Sequence, residues 1–308
     1  LYNPALVKYK YTNDYGAGVY MNDVIQNLYE PGSIMKPVTV SAGIDSGEIR
    51  RYDLYKDPGY AEVGDYKIKN VSSQCIGLKT FQNALNFSCN VGMLKIADKM
   101  GKSLFSKYLS DFGFGKLTGI TLEGERTGTM TPYEKWSRAQ LFTTSFGQGI
   151  VATPLQMARA YSVIANGGIY MQPYIVKSIK FDDGRVVENK ANPVQRVIKE
   201  TTSKIVRDML EEGGQVGFAK MGGVPGYKIS GKTGTSQIAY KGTYEKGVAT
   251  TIGSYAGFAP SQDPRFVMII KLERPRSSEY GESTAALIFG RIASYILDYY
   301  TIPKNDTK

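Results

Sequence analysis

The seven residues 31–37, with the sequence PGSIMKP, constrain the fold more than any other stretch. Proline is tolerated only in the first turn of a helix, so Pro37 indicates that a helix begins a few residues before it. Ser33 and Lys36 then share one helix face, within hydrogen-bond reach of each other. The unpaired N–H groups of a helix start favour developing negative charge. The stretch therefore predicts a serine nucleophile with a lysine base at a helix N-terminus.

The 308 residues include no histidine. Histidine is the usual general base near neutral pH, so its absence excludes a Ser-His-Asp triad and leaves lysine, tyrosine or a carboxylate to activate a serine. The two cysteines, Cys75 and Cys89, lack histidine partners for a zinc site. Two cysteines in a chain of this size give no framework pattern that favours a disulfide, and their redox state stays open. No metal or cofactor is expected.

The formal net charge is +10, but the lysines and arginines are dispersed along the chain. A nucleic-acid partner is not expected, because basic runs interleaved with aromatic residues are missing from the sequence. The charge instead favours an anionic neighbour, either a phospholipid surface or an anionic cell-wall polymer. No run of 18 apolar residues occurs, and the sequence begins at Leu1 without a methionine. We expect an upstream portion with a membrane or export signal.

Periodicity divides the chain into three regions of one domain, 1–308. Residues 1–45 are predicted to form an extended lead-in and the catalytic helix. Residues 46–200 are predicted to be mostly helical, and residues 201–308 to form a helix, antiparallel strands and a C-terminal helix.

Within the last region, a helix over 201–212 is predicted to stop at Gly213-Gly214. Strands are predicted over 227–238, 249–259 and 265–273, and the last helix over 283–300. The apolar face of that last helix is predicted to consist of Ile288, Ile292, Tyr295, Ile296 and Tyr299.

The stretch Lys232-Thr233-Gly234-Thr235 lies inside the first predicted strand. A glycine within a strand often marks the close approach of a ligand or another backbone. Lys232 supplies positive charge for a carboxylate, and Thr233 and Thr235 supply hydroxyl groups. The backbone N–H groups of Ser33 and Thr235 can together form an oxyanion hole. The stretch predicts a substrate-binding strand along which a peptide can pair.

Ser88 and Asn90 are two residues apart at a predicted corner between helices. A Ser-x-x-Lys, a Ser-x-Asn and a Lys-Thr-Gly in this order form the catalytic set of penicillin-recognising serine enzymes. On these motifs the whole chain resembles the transpeptidase domain of penicillin-binding proteins, and EPGS at 30–33 is more similar to the monofunctional class B form. Further similar stretches are 88–92 (SCNVG), 112–115 (FGFG), 145–149 (SFGQG), 153–156 (TPLQ), 231–237 and 257–260 (GFAP).

The resemblance implies an α/β (α+β) fold of the serine β-lactamase and penicillin-binding transpeptidase type. In it, helices cover an antiparallel sheet beside a mostly helical subdomain. It further implies that the sheet has five strands, of which the first two precede Leu1. We therefore expect three main strands here, with Lys232 to Thr235 on one outer strand and 265–273 on the opposite edge.

The resemblance also implies a peptidoglycan D,D-transpeptidase without a cofactor. Ser33 would be acylated by the D-Ala-D-Ala end of a stem peptide, with release of D-Ala and attack by an amine of a neighbouring strand. Lys36, Ser88, Asn90 and Lys232 would be the other catalytic residues, and Thr233, Gly234 and Thr235 would bind the substrate. Implied partners are peptidoglycan stem peptides, β-lactam inhibitors and other cell-wall synthesis proteins. The implied location is the outer face of a bacterial cell membrane.

Two departures from the family pattern occur: Cys89 replaces a common second serine, and Gly281-Glu282-Ser283-Thr284 lacks a second glycine and a later proline. Neither is expected to touch a group that does chemistry. A β-lactamase or a D,D-carboxypeptidase of the same superfamily remains an alternative. A β-lactamase, however, needs a second base, and no Glu-x-x-x-Asn stretch lies between residues 88 and 232. A non-catalytic wall-binding scaffold is the other alternative.

Overall fold

The computed structural model describes residues 21–304 other than 65, 241, 242, 246 and 248, so the predictions for residues 1–20 lie outside the described part. The α-helices of the described part are α1 (Asp23–Gln26), α2 (Lys36–Asp45), α3 (Phe81–Asn86), α4 (Asn90–Asp111), α5 (Arg138–Ser145), α6 (Pro154–Ala165), α7 (Glu200–Val216) and α8 (Ala285–Tyr299).

Short strands lie between the helices and pair antiparallel in twos. They are β1 (Leu54–Asp57), β2 (Tyr60–Val63), β3 (Tyr66–Lys69), β4 (Gly77–Thr80), β5 (Ile169–Gln172), β6 (Ser178–Lys180), β7 (Val186–Glu188), β8 (Asn192–Arg196), β10 (Ala239–Tyr240) and β11 (Thr243–Tyr244). The three longer strands are β9 (Ser230–Gln237), β12 (Thr251–Ala259) and β13 (Phe266–Glu273).

The three longer strands form an antiparallel sheet in the order β13-β12-β9. Ala256 of the central strand lies opposite Lys232 on one side and Ile269 on the other. Among the described residues β13 pairs with β12 alone, so the predicted order of the three strands and the outer position of Lys232 to Thr235 are confirmed. The two earlier strands expected before Leu1 stay a prediction.

Each face of the sheet packs against a different apolar cluster. On one face, Ile252, Ala256 and Phe258 join the larger cluster, to which α2, α4, α6 and α7 contribute. On the other face, Tyr255 and Ala259 join a smaller cluster with α8. Side chains alternate between the two faces of a strand, so successive residues of β12 pack into different clusters.

Helix α2 lies in the middle of the larger cluster, and its residues 36–43 are all buried. A helix buried around its whole circumference is held by packing rather than by its own propensity. Pro37 occupies its first turn, as predicted, and the 3₁₀ turn Gly32–Met35 precedes it. The nucleophile candidate Ser33 thus stands on a rigid support.

Helix α7 extends to Val216, so the prediction that it stops at Gly213-Gly214 is wrong. A side chain at Gly214 would collide with the Ile229 carbonyl oxygen just before β9. Gly214 is therefore required by the close approach of the backbone at Ile229, although glycine has a lower helix propensity than other residues.

The apolar face predicted for α8 is also wrong. The side that packs on the sheet consists of Ala285, Ala286, Phe289, Ala293 and Leu297. Tyr295 and Tyr299 are instead 68% and 67% exposed. Small alanines let the helix lie close to β12, where the Phe289 and Tyr255 rings are 4.4 Å apart.

Residues 46–200 are not mostly helical as predicted, because the described part of this region contains the eight short strands β1 to β8 beside α3 to α6. A capping box of Thr153 and Gln156 begins α6, and Thr80 caps α3. Helix α4 is a single element with a kink at Gly101, whose backbone is not helical. Among the described residues no helix is both long and apolar enough to cross a bilayer.

Cys75 and Cys89 form a disulfide, with their Cα atoms 5.5 Å apart. The sequence pattern did not favour this pairing, because the strands β1 to β4 that bring the two residues together are invisible in cysteine spacing. The bond ties the corner at residues 88–90 to the short 3₁₀ turn Ser73–Cys75.

Candidate active site

A cavity of about 580 Å³ lies where the turn before α2, the corner before α4 and strand β9 meet. The predicted site residues Ser33, Ser88, Asn90 and Thr235 line it. Thr233 and Gly234 line it as well, whereas Lys36 and Lys232 are buried behind it. The remaining lining residues are Gly32, Val71, Ser72, Ser73, Phe146, Gln148, Phe218, Gln237, Tyr280 and Glu282.

Ser33 is carried by a turn whose backbone is fixed from two sides. The Gly32 N–H donates to the Gly147 carbonyl oxygen (3.0 Å), and the Tyr161 hydroxyl donates to the Ile34 carbonyl oxygen (3.0 Å). Gly32 has φ +58°, a backbone conformation that side chains rarely adopt. Among the described residues the Ser33 hydroxyl has no hydrogen-bond partner, and it lines the cavity.

Glu30 attaches the same turn to a second wall of the cavity. Its carboxylate accepts from the Gly149 N–H (2.7 Å) and from the Tyr244 hydroxyl (2.9 Å). The stretch that contains Gly149 also supplies Phe146 and Gln148 to the cavity lining. Glu30 therefore holds the nucleophile turn and this wall in one arrangement.

The Lys36 amine lies at the floor of the site with 0% of the residue exposed. It makes hydrogen bonds with the Ser88 carbonyl oxygen (2.6 Å), Ser88 Oγ (2.9 Å) and Asn90 Oδ1 (2.8 Å). Among the described residues no hydrogen bond joins it to Ser33, so the predicted Ser33–Lys36 bond is not formed. The lysine reaches past the turn because the corner offers three acceptors in one place.

Burial holds the pKa of Lys36 well below its usual range, and the positive charge of Lys232 lowers it further. A neutral amine fits the three contacts: it can donate to the Ser88 carbonyl oxygen and to Asn90 while accepting from the Ser88 hydroxyl. A neutral Lys36 amine can therefore act as a base toward a hydroxyl group on the cavity wall.

The corner before α4 is set by backbone strain and by hydrogen bonds. Ser88 has φ +59°, a left-handed conformation that costs about 1–2 kcal/mol for a residue with a side chain. Asn90 Nδ2 donates to the Lys69 carbonyl oxygen (2.8 Å), which fixes which end of the amide faces Lys36. The disulfide through Cys89 anchors the residue between them.

Strand β9 approaches the nucleophile turn closely at Gly234. A Cβ atom there would lie 3.0 Å from Ile34 Cγ2 and would collide with the Ser254 hydroxyl. Only glycine lets the strand lie at this distance from the turn. The predicted close approach is confirmed, but its partner is the nucleophile turn of the same chain.

Lys232 is only 3% exposed, and its amine donates to the Thr233 carbonyl oxygen (2.9 Å). Burial lowers the pKa of Lys232 to about 7, against a smaller opposite effect of the Glu282 carboxylate. The expectation that Gly281-Glu282 touches no group that does chemistry is wrong, because the Gly281 N–H donates to the hydroxyl of the predicted site residue Thr235 (3.0 Å). Glu282 lines the cavity and bears on the charge of Lys232.

Sequence reasoning missed several lining residues, including Phe218, Tyr280 and Glu282. Phe218 follows α7 and lies far from every motif in the sequence, so no local signal marks it. The departure of Glu282 from the family's glycine was a usable signal, because a charged residue in place of glycine changes what the site can bind.

Comparisons with known proteins agree with this geometry. The family model for the penicillin-binding protein transpeptidase domain matches residues 3–294. Stage V sporulation protein D of Bacillus subtilis is 36% identical over 272 residues, which cover 87% of this chain and 42% of that protein. Peptidoglycan D,D-transpeptidase FtsI of Escherichia coli K12 is 33% identical over 284 residues, covering 90% of this chain and 45% of that protein.

Among solved structures, penicillin binding protein 3 of Mycobacterium tuberculosis complexed with aztreonam superposes with a TM-score of 0.84 and 32% identity. The match covers 92% of this chain and 65% of that one. The chain spans less than half the length of the two curated relatives named above. With a family model matched over nearly its whole length and the same fold in a solved relative, the chain belongs to the penicillin-binding protein transpeptidase family.

Proposed function

We propose that this chain is the catalytic domain of a peptidoglycan D,D-transpeptidase, with Ser33 as the nucleophile. One observation carries the proposal: a buried lysine whose pKa is strongly lowered is hydrogen-bonded at 2.9 Å to a serine hydroxyl on the wall that Ser33 shares. The name of the Escherichia coli relative and the aztreonam bound to the Mycobacterium tuberculosis relative support it.

In acylation, Ser33 Oγ attacks the carbonyl carbon between the two D-alanines of a stem peptide, and neutral Lys36 takes up its proton. The backbone N–H groups of Ser33 and Thr235 stabilise the oxyanion. The peptide C–N bond breaks, and Ser88 relays the proton from Lys36 to the leaving D-alanine amine. The 2.9 Å bond between Lys36 Nζ and Ser88 Oγ supports this relay.

Deacylation repeats these steps in reverse order with a different amine. The amine of a neighbouring strand attacks the Ser33 ester and gives up a proton through Ser88 to Lys36, and Lys36 then protonates Ser33 Oγ as the ester C–O bond breaks. Lys232, Thr233 and Thr235 hold the terminal carboxylate of the donor in the first step, and Asn90 orients the donor peptide. A penicillin follows the first half of the pathway, because its strained amide presents the same carbonyl and carboxylate.

The proposed location is the outer face of a bacterial cell membrane, where stem peptides are cross-linked. Other cell-wall synthesis proteins are proposed partners of the whole protein. Family membership supports both proposals.

Labelling with a fluorescent penicillin tests the function directly. The wild-type chain should be labelled, and the label should persist through a chase of hours. Ser33→Ala should lose labelling on intact-mass analysis while keeping its fold, because the change opens no cavity. Ser73→Ala is the matched control: Ser73 lines the same cavity and has no lysine partner among the residues that the structure describes, so labelling should be kept.

Three results would contradict the proposal in different ways. Rapid loss of the label during the chase would indicate a β-lactamase. An unlabelled wild-type chain would indicate a scaffold. Release of D-alanine from a stem pentapeptide without incorporation of an added amine would indicate a D,D-carboxypeptidase.

A further inference from the structure

Among the described residues that line the active-site cavity, Glu282 is the single acidic or basic one. The other lining side chains are hydroxyls, amides, aromatic rings and one valine. Lys36 and Lys232 are buried behind the wall. A ligand in the cavity therefore meets the half-buried carboxylate of Glu282.

Glu282 lies in a turn that packs against the substrate-binding strand β9. It belongs to the 3₁₀ turn Gly281–Ser283, whose Gly281 N–H donates to Thr235 Oγ1 (3.0 Å). A side chain at Gly281 would collide with the Gly234 carbonyl oxygen, so the turn packs directly on β9. Thr284 Oγ1 secures the turn by donating to the Tyr280 carbonyl oxygen (2.7 Å). The carboxylate thus has a fixed place beside Thr235.

The charge of Glu282 is not neutralised by a direct partner. Within the described part of the chain, its carboxylate makes no ion pair within 4.0 Å and no hydrogen bond. Lys232 is close enough for the carboxylate to influence it, but the Lys232 amine is turned to the Thr233 carbonyl oxygen. An unpaired carboxylate in a half-enclosed cavity attracts a cation more strongly than one in open water.

We propose that Glu282 forms a cation subsite that binds an ammonium group of the peptide substrate. This inference rests on the proposed function and deepens it. An ammonium can come from either of two sources: the amino group carried by the donor peptide, or the amine of the acceptor strand. Both present the same chemistry to the carboxylate, and the test separates them.

The donor arm compares acylation by ampicillin and benzylpenicillin, which differ by one amino group. The readout is the ratio of the two second-order acylation rates at pH 6, where an α-amino group is charged. Glu282→Gln should lower the ampicillin-to-benzylpenicillin ratio about tenfold, since a charge-assisted contact is lost. Any effect through Lys232 cancels in the ratio, because both penicillins carry the same carboxylate.

The acceptor arm uses an acyl-D-alanyl thioester as donor and D-alanine as the acceptor amine. Its readout is the partition of the acyl-enzyme between aminolysis and hydrolysis. Glu279→Gln is the matched control in both arms: Glu279 lies three residues earlier, is exposed, and is not among the cavity-lining residues. Glu279→Gln removes a negative charge from the same loop as Glu282→Gln does.

A fall of the penicillin ratio in Glu282→Gln alone supports the subsite on the donor side. A fall of the aminolysis share in Glu282→Gln alone supports it on the acceptor side. Normal acylation with both readouts unchanged, or changed equally in Glu279→Gln, overturns the subsite and leaves the proposed function standing. Failure of both penicillins to acylate the wild-type chain overturns the proposed function and the subsite together.

Discussion

Of the two outer strands of the central sheet, the polar strand β9 is more buried than the apolar strand β13, the opposite of what hydropathy alone predicts. β9 reads SGKTGTSQ and is buried except at Thr235 and Gln237, whereas β13 reads FVMIIKLE and is partly exposed along its length. β9 is covered by the nucleophile turn, by α7 and by the turn Gly281–Ser283. Among the described residues β13 has β12 as its sole strand partner.

The difference shows that β9 is buried because the elements that build the cavity cover it, and not because its side chains are apolar. Lys232 is buried and has no ion pair within the described part of the chain, and this opposes folding because desolvation disfavours the charged form. The side chains of β13 instead contribute ordinary apolar burial, alternating between the two clusters. β9 should therefore determine activity and β13 stability, a comparison that the following variants test.

The largest expected effect is on Lys232. Lys232→Met removes a buried charge at similar volume, so the free energy of unfolding should stay equal or rise by about 1 kcal/mol. Acylation by benzylpenicillin should fall about 10²–10³-fold, because a fixed charge for the substrate carboxylate is lost. Lys271→Met on β13 is the control and should leave acylation unchanged. Equal losses of acylation in both variants would contradict the view that β9 determines activity and β13 stability.

The pH dependence should follow the same lysine. Its pKa of about 7 lies below the value of about 10.4 in an unfolded chain. Between these values the unfolded state binds more protons, so wild-type stability should rise with pH from 7 to 10. Lys36, also lowered, contributes to this slope. Denaturant titrations should give a smaller slope for Lys232→Met, and an identical slope would contradict the assignment.

Acylation should show the opposite trend from the same group. If charged Lys232 holds the substrate carboxylate, the acylation rate should fall as pH rises through about 7. Lys232→Arg keeps its charge at all accessible pH values, so this fall should disappear in that variant. Stopped-flow acylation across pH 6–9 measures both profiles. A fall that persists unchanged in the arginine variant would assign it to another group.

A smaller effect is expected at Gly234. Gly234→Ala places a Cβ against Ile34 and the Ser254 hydroxyl, which should cost about 1–3 kcal/mol of stability and move the nucleophile turn. Acylation should fall more than stability alone explains. Adding Ser254→Ala removes the colliding oxygen and should restore part of both losses. No recovery in the double variant would mean that the collision with Ser254 is not the cause.

The smallest effect is expected on β13. Ile270 contacts the smaller cluster but is partly exposed, so Ile270→Ala should cost about 1–2 kcal/mol, at or below the range for fully buried sites. Acylation rates at temperatures well below unfolding should not change. A loss of acylation comparable to that of Gly234→Ala would show that β13 shapes the cavity after all.

The sequence by itself determined the motif-bearing elements of this protein. Pro37 fixed the helix start beside Ser33, because a proline ring cannot occupy a helix interior. The placement of Lys232 to Thr235 within a strand also followed from the periodicity of the sequence. These features depend on the backbone preferences of neighbouring residues, and these can be read from a short stretch of sequence.

Only the tertiary structure decided which groups meet. Lys36 bonds to Ser88 rather than Ser33, Cys75 pairs with Cys89, and Glu282 faces the cavity. α8 turns its alanines rather than its tyrosines to the sheet. Each outcome depends on the distance between segments that are remote in the chain, and that distance is set by packing, which no local pattern encodes.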